Sequence, residues 1–267
     1  MTPVSLSDVS WAAKPYPEIR DIAAEDGSLL VVPVGSLEQH GHHLPTVTDS
    51  ALADAVARLG AERVADRVPI LTTPVVWSGH SPMHLDSFGG TLSLTLEQML
   101  GVLDGVGRTG VENGFDGLLL VNGHGANGPA IDGAVSRLGS SYPSVEVAGL
   151  TYYHLVSDFA DDVRESDTGG MSHGGELETS LMLHLFPELV QMDRIGEWEH
   201  RDMPYRHAAP DMTESGQINV YRSSDRYSES GVEGDPTVAS AETGEEIFEH
   251  VGDELEALLS EMHEFVA

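Results

Sequence analysis

Short apolar runs alternate along this chain with longer stretches whose apolar residues recur every three to four positions. The runs LLVVPV (29–34), PILTTPVV (69–76), GLLLVN (117–122) and VEVAGL (145–150) have strand length and offer no consistently polar face. Between them, helical periodicity predicts a helix at 50–65 with Asp49 as its N-cap. A second is expected at 96–112, entered through Thr95 and Gln98 in capping-box spacing, and a third at about 128–138 behind Asn127. Two more are expected near 175–186 and at 242–266. This β-α-β-α order implies an α/β fold, a mostly parallel sheet covered by helices on both sides. The segments 164–174 and 198–240 read as loops. The second, dense in Asp, Ser, Arg and Gly, is too interrupted for a separate domain and is expected to run over the surface or against a neighbouring subunit. Residues 1–267 are thus expected to form one domain.

Charge narrows the setting. Lys and Arg total 13 against 44 Asp and Glu, a formal net charge of -31, and Lys14 is the only lysine. Such a chain repels itself at ordinary ionic strength, whereas in molar salt the Debye length falls to ~3 Å. The pattern points to the cytoplasm of a halophile. It excludes nucleic acid as a partner, because no basic stripe exists to neutralise phosphates. No apolar stretch reaches the ~20 residues of a membrane-spanning helix, and the N-terminus lacks the basic and apolar regions of an export signal. With no cysteine, any metal must be held by His and carboxylate groups.

Open α/β sheets bind ligands beyond the carboxyl ends of their strands. GSLEQHGHHLPTVTD (35–49) follows the first strand and NGHGAN (122–127) the third, so both ionisable clusters fall on one rim. Glu38 and His40, two apart on extended chain, share a face. With Asp49 they could ligate a divalent metal, the alternative being a solvated loop with a helix cap. His42 and His43 read as supporting or exposed residues. His124 lies between glycines that allow close backbone approach, and an ordinary turn before a helix is its alternative. In SHGGELETS (172–180), a helix beginning near 175 would put His173 and Glu176 on one face and turn Glu178 toward solvent. His80 and His84, in GHSPMHLDSFGGT, are candidates for substrate binding or an exposed pair. Trp77, Tyr152 and Tyr153 fit a pocket wall or the core. No activated nucleophile, Walker loop or dinucleotide fingerprint is present. The remaining machinery is metal or acid–base chemistry.

Five stretches together, PVGSLEQHGHHLPTVTD, GHSPMHLDSFGGT, VNGHGAN, HGGELETS and GVEGDPTVAS, resemble the ordered motifs of the creatininase (creatinine amidohydrolase) family and span roughly residues 30–240. The resemblance implies a three-layer α/β/α sandwich and two divalent ions, zinc or manganese, with iron(II) a further option. Asp49 would bridge the ions, Glu38 and His124 would complete one, and His40 with a glutamate the other. In creatininase itself that glutamate stands two residues after the histidine of the third motif, where this chain has Ala126. Other members take the ligand from the later motif, here Glu176. His42 replaces the family's usual proline and Gly174 its usual alanine. The implied activity is hydrolysis of a non-peptide or cyclic C–N bond, a metal-bridged hydroxide attacking the amide carbon and His173 protonating the leaving nitrogen. Candidate substrates are creatinine, a formamidopyrimidine of archaeal flavin and deazaflavin synthesis, and the mycofactocin precursor peptide. The alternative of another class is a catalytically silent metal-binding scaffold. Small amides are therefore the expected partners, together with further copies of the chain, since family members form homo-hexamers.

Overall fold

β1 (Leu29–Val34) and β3 (Gly117–Asn122) are buried along their whole length, and alternate side chains of each enter two separate cores. The computed structural model describes residues 7–195, 205–221 and 223–267. Leu29, Val31, Leu119 and Val121 join the core that includes Leu52, Leu181 and Leu255, while Leu30, Val32, Leu118 and Leu120 join the one that includes Ile19, Met99, Leu103 and Leu138. The first core is covered by α2 (Thr48–Val64), α7 (Glu176–Leu185) and α8 (Ala241–Val266), the second by α1 (Tyr16–Ala23), α4 (Leu96–Asn113) and α5 (Gly128–Ser141). Each Leu or Val buried this way contributes ~1.5–3 kcal/mol. The sheet is completed by β2 (Ile70–Thr72) and β4 (Glu146–Thr151) in the order β2-β1-β3-β4, all parallel. The result is the expected three-layer α/β/α sandwich.

Two short helices, α3 (Pro82–Phe88) and α6 (Ala160–Val163), lie in stretches for which the sequence pattern predicts no element. α4 begins with the expected reciprocal cap, Thr95 Oγ1 accepting from Gln98 N at 3.2 Å and Gln98 Oε1 from Thr95 N at 2.9 Å. Three expectations need correction. The strand foreseen over 69–76 pairs only at Ile70–Thr72, then leaves the sheet through Thr73 and Pro74 and touches β1 again by a single bridge between Val34 and Val76. α2 starts two residues early with Val47 as N-cap, so Asp49 sits inside its first turn and leaves its carboxylate free for other partners. Finally, the described part of 198–240 folds back over the carboxyl ends of the strands, where Asp211, Val220 and Ser224 line the same cavity as Asp49 and His124. Residues 198–204 and 222 of that segment lie outside the described residues.

One buried side chain ties the rim together. Asn127 donates to Gly35 O (2.9 Å) and Asn122 Oδ1 (3.0 Å) and accepts from His80 N (2.9 Å), clamping the loops that follow β1, β2 and β3.

Candidate metal centre

β1 ends at Val34, and the next fifteen residues return to α2 carrying Glu38, His40 and Asp49. His40 Nδ1 donates to Glu38 O at 3.2 Å, which turns Nε2 toward Asp49 Oδ1 (3.0 Å) and Glu178 Oε1 (3.5 Å). From the loop after β3, His124 presents Nδ1 to Glu38 Oε1 (3.1 Å) and Asp49 Oδ2 (3.4 Å). Asp49 therefore stands between two groups, one oxygen facing His40 and Glu178, the other facing His124 and Glu38. Glu38, His40, Asp49 and Glu178 are at most 2% exposed and His124 5%. Gly123 makes the approach of His124 feasible: a Cβ there would lie 2.6 Å from the Asp49 carbonyl oxygen.

Two more imidazoles stack on this group. His173 lies 4.3 Å from His40 and 4.2 Å from His84, ring centre to ring centre. Gln39 fixes their tautomers. His173 Nε2 donates to Gln39 O at 2.8 Å, leaving its Nδ1 lone pair facing Glu38 Oε1 at 3.6 Å. His84 Nδ1 accepts from Gln39 Nε2 (2.9 Å) and Ser224 Oγ (3.0 Å), so its Nε2–H faces Glu38 Oε1 at 3.3 Å. One ring offers an acceptor to the site and the other a donor. They line a cavity of about 260 Å³, walled also by Met83, Ala126, Tyr153 and Met212.

Two sequence expectations fail on geometry. Glu176 does not join His173: its carboxylate accepts from Glu165 N (2.8 Å), Ser166 N (3.0 Å) and Ser166 Oγ (2.5 Å), anchoring the 164–174 loop. Glu178 joins the cluster instead, its Oε2 accepting from Gly174 N at 2.6 Å. The reason is local. Gly174 adopts φ +64°, and α7 begins only at Glu176, so His173 lies outside the helix and the three-residue spacing has no meaning there. The Gly174-Gly175 pair was the signal that a turn intervenes. His80 is likewise occupied elsewhere, its Nδ1 donating to Leu94 O at 3.0 Å, and it does not line the cavity. His84 does. His42 is exposed, and buried His43 bonds Thr179 Oγ1 at 2.9 Å. Trp77 is half exposed, Tyr152 is core, and Tyr153 borders both core and cavity.

The cluster demands positive charge. Burial disfavours the charged form of His124, but the Glu38 and Asp49 carboxylates beside it prevail and lift it to about 9. Burial opposes the charging of His40 too, and Asp49 and Glu178 still raise it well above the ordinary value. Burial and then Glu38 push the Asp49 carboxyl up to about 7. His84 goes the other way, to about 4, chiefly through burial, and His173 is lowered well below its usual range by burial and then His84. Yet among the described residues the buried His40 Nε2 and Asp49 Oδ2 meet no partner in hydrogen-bond geometry, only the ionic neighbours named above. Buried polar atoms without partners are costly. Imidazole and carboxylate donors converging this closely suit a zinc- or manganese-type ion, and His40/His173/Glu178 and Glu38/His40/Asp49 each bring their ligand atoms within 4.8 Å of one another.

Known proteins share both fold and sequence. A sequence model of the creatininase family, described as creatinine amidohydrolase, matches residues 12–259. The chain is 33% identical over 231 residues to the mycofactocin precursor peptide peptidase of Mycobacterium ulcerans, covering 84% of this chain and 82% of that protein. It is 35% identical over 205 residues to creatinine amidohydrolase of Pseudomonas putida, covering 72% and 75%. A solved structure of creatininase with manganese superposes with a TM-score of 0.81 at 28% identity, covering 96% of this chain and 98% of that one. A zinc–zinc type of a mutant creatininase gives 0.82 at 27% identity, with 96% and 98% covered. Layer order, the clustered His and carboxylate groups and these similarities agree, and the chain belongs to the creatininase family of metal-dependent hydrolases acting on C–N bonds.

Proposed function

We propose that the chain is an amidohydrolase in which Asp49, Glu38 and His124 would hold one divalent ion and Asp49, His40 and Glu178 a second. The observation that carries the reading is the divergence of the two Asp49 oxygens toward separate His–Glu pairs. When bound, the ions supply Lewis-acid activation of a water molecule and of the amide carbonyl. Three carboxylates and two neutral imidazoles would leave about one unit of positive charge on such a pair, suited to an oxyanion.

His173 does the proton work. Its Nδ1 lone pair faces the cluster and its Nε2–H is spent on Gln39 O, so it enters the reaction as a base. It takes the proton released as water adds to the carbonyl and gives the same proton to the nitrogen as the C–N bond breaks. His84, with Nε2–H toward the cluster, offers a hydrogen bond to Glu38 or to a substrate oxygen. Acid–base help of this type contributes ~10²–10⁴-fold.

The cavity of about 260 Å³ admits a small ring or a short stretch of peptide, not a folded protein. Creatinine-like cyclic amides are the first candidate. A second reading, cleavage of a peptide amide, is favoured by the similarity to the mycofactocin precursor peptide peptidase over 84% of the chain, and by Ala126 on the cavity wall where creatininase has a glutamate. The test is turnover of creatinine and of short peptides by protein loaded with Zn²⁺ or Mn²⁺ in molar KCl. His173→Ala should retain metal and lose ~10²–10⁴-fold in rate on whichever substrate is accepted. Equal turnover by His173→Ala would refute the assigned role.

A further inference from the structure

Glu38 and His124 are joined a second time behind the cluster, through two serines. Ser36 Oγ donates to Glu38 Oε2 at 2.9 Å, Ser36 Oγ and Ser81 Oγ lie 2.6 Å apart, and Ser81 Oγ lies 3.0 Å from His124 Nε2. Both serines are fully buried. They come from different loops, Ser36 after β1 and Ser81 at the N-cap of α3, and neither side chain touches the cavity. A buried serine pair in a wholly local role would satisfy nearby backbone. These two instead spend their hydroxyls on the far sides of two residues that converge again at Glu38 Oε1 and His124 Nδ1, 3.1 Å apart.

The direction of every proton in this ring is fixed. The ionised Glu38 carboxylate can only accept, so Ser36 gives Oε2 its single proton. Ser81 must then donate to Ser36, because Ser36 has nothing left to give. Ser81 in turn can only receive from His124, whose Nε2 therefore carries a hydrogen. His80 O, 3.2 Å from the same nitrogen, is an acceptor too and agrees. His124 is left with Nδ1 aimed at Glu38 Oε1 and Asp49 Oδ2, and Oε1, which the His84 Nε2–H also faces at 3.3 Å, is the Glu38 oxygen outside the serine relay. The ring also reaches the third group of this position, because the backbone of Ser36 accepts from Ser50 Oγ (2.8 Å), the residue after Asp49.

We propose that Ser36 and Ser81 are a coupled pair of positioning residues whose one-way hydrogen-bond relay from His124 to Glu38 presents Nδ1 and Oε1 together to a single divalent cation. The inference rests on the ligand arrangement proposed above. Because the relay is a unit, breaking it at either serine frees the Glu38 carboxylate to rotate, and breaking it at both adds little more.

The experiment measures zinc binding to the full chain in molar KCl by competition with a chromophoric chelator, for wild type, Ser36→Ala, Ser81→Ala and the double variant. Each single variant should weaken one of the two zinc ions by ~10–100-fold and leave the other within ~3-fold. The double variant should match the weaker single variant. Ser28→Ala, which removes another buried serine bond, to Ala23 O at 3.0 Å, at the far end of β1, is the control for general loosening and should bind zinc as wild type does. With Co²⁺ in place of zinc, the d–d absorption, which reports ligand geometry, should change alike in both single variants and not in Ser28→Ala. Single variants that bind zinc like wild type, or effects that multiply in the double variant, would overturn the relay while leaving the two-ion reading intact. Wild type that takes up no zinc would overturn both.

Discussion

Replacing Glu176 and Glu178 separately by glutamine distinguishes a residue that holds the fold from one that holds the ion. Glu176 is fully buried and accepts from Glu165 N, Ser166 N and Ser166 Oγ. Hydrogen bonds to a charged acceptor are worth ~1.5–3 kcal/mol net each. The Glu165 amide belongs to an exposed residue and can turn to water, so the two Ser166 bonds dominate. Both Ser166 bonds go to Oε2, so the glutamine oxygen placed there keeps them without their charge assistance while its NH₂ turns on the Glu165 amide, a loss of about 2–3 kcal/mol. At ~2–4 °C per kcal/mol for a chain of this size class, Tm should fall by about 4–12 °C. Glu178→Gln retains an oxygen for Gly174 N, and its weaker pairing with His40 Nε2 (3.5 Å) is partly offset by removing one of three crowded carboxylates, so the Tm of metal-free protein should fall by less than that of Glu176→Gln. The Glu178 variant should nevertheless lose the ion shared with His40. The assay is a thermal melt of metal-free protein in molar KCl, paired with metal content by mass spectrometry after zinc loading and desalting. A Glu176→Gln protein that melts normally but lacks an ion, or a Glu178→Gln protein that keeps both, would refute the reasoning.

Metal binding should release protons, because His124 at about 9, His40 held well above its ordinary value by Asp49 and Glu178, and Asp49 at about 7 hold protons that a cation must displace. The ion-bound state binds fewer protons, so affinity rises with pH: log Ka for zinc should climb by about one to two per pH unit between pH 7 and 9, and calorimetry in buffers of different ionisation enthalpy measures it. A pH-independent affinity would contradict the cluster's electrostatics. Gly123→Ala places a Cβ 2.6 Å from Asp49 O and 3.1 Å from Ala53 Cβ, which should cost ~1–3 kcal/mol and weaken zinc at least about tenfold by displacing His124; Tm and chelator competition test it together. With a net charge of -31, raising KCl from about 0.1 M to about 2 M should raise Tm steeply, since the Debye length shrinks from ~10 Å to below ~3 Å. A flat Tm would remove the halophilic reading.

The strands and major helices were legible because β1 and β3 are buried on both faces and read as unbroken apolar runs, while α4 announces its start with a reciprocal Thr95–Gln98 cap. Glu38, His40, Asp49 and His124 were legible because they follow the carboxyl ends of those strands. Glu178 was not. The three-residue spacing from His173 to Glu176 spans a turn ahead of the helix, and only the left-handed backbone of Gly174 shows where helical periodicity begins. The roles of Gln39, Ser36, Ser81 and Asn127, the last read only as preceding a helix, were also illegible, because these are uncharged residues whose importance lies in partners from other loops, up to 192 positions away for Gln39 and Gly231. The course of 205–221 over the cavity was hidden for a similar reason, since a polar loop carries no periodicity that states what it covers.

The most direct test of the central claim is anomalous X-ray scattering at the zinc edge from a zinc-loaded crystal. Two peaks per chain should flank Asp49, one between Glu38 and His124 and the other between His40 and Glu178. A single peak, or a second peak beside Glu176, would contradict that claim.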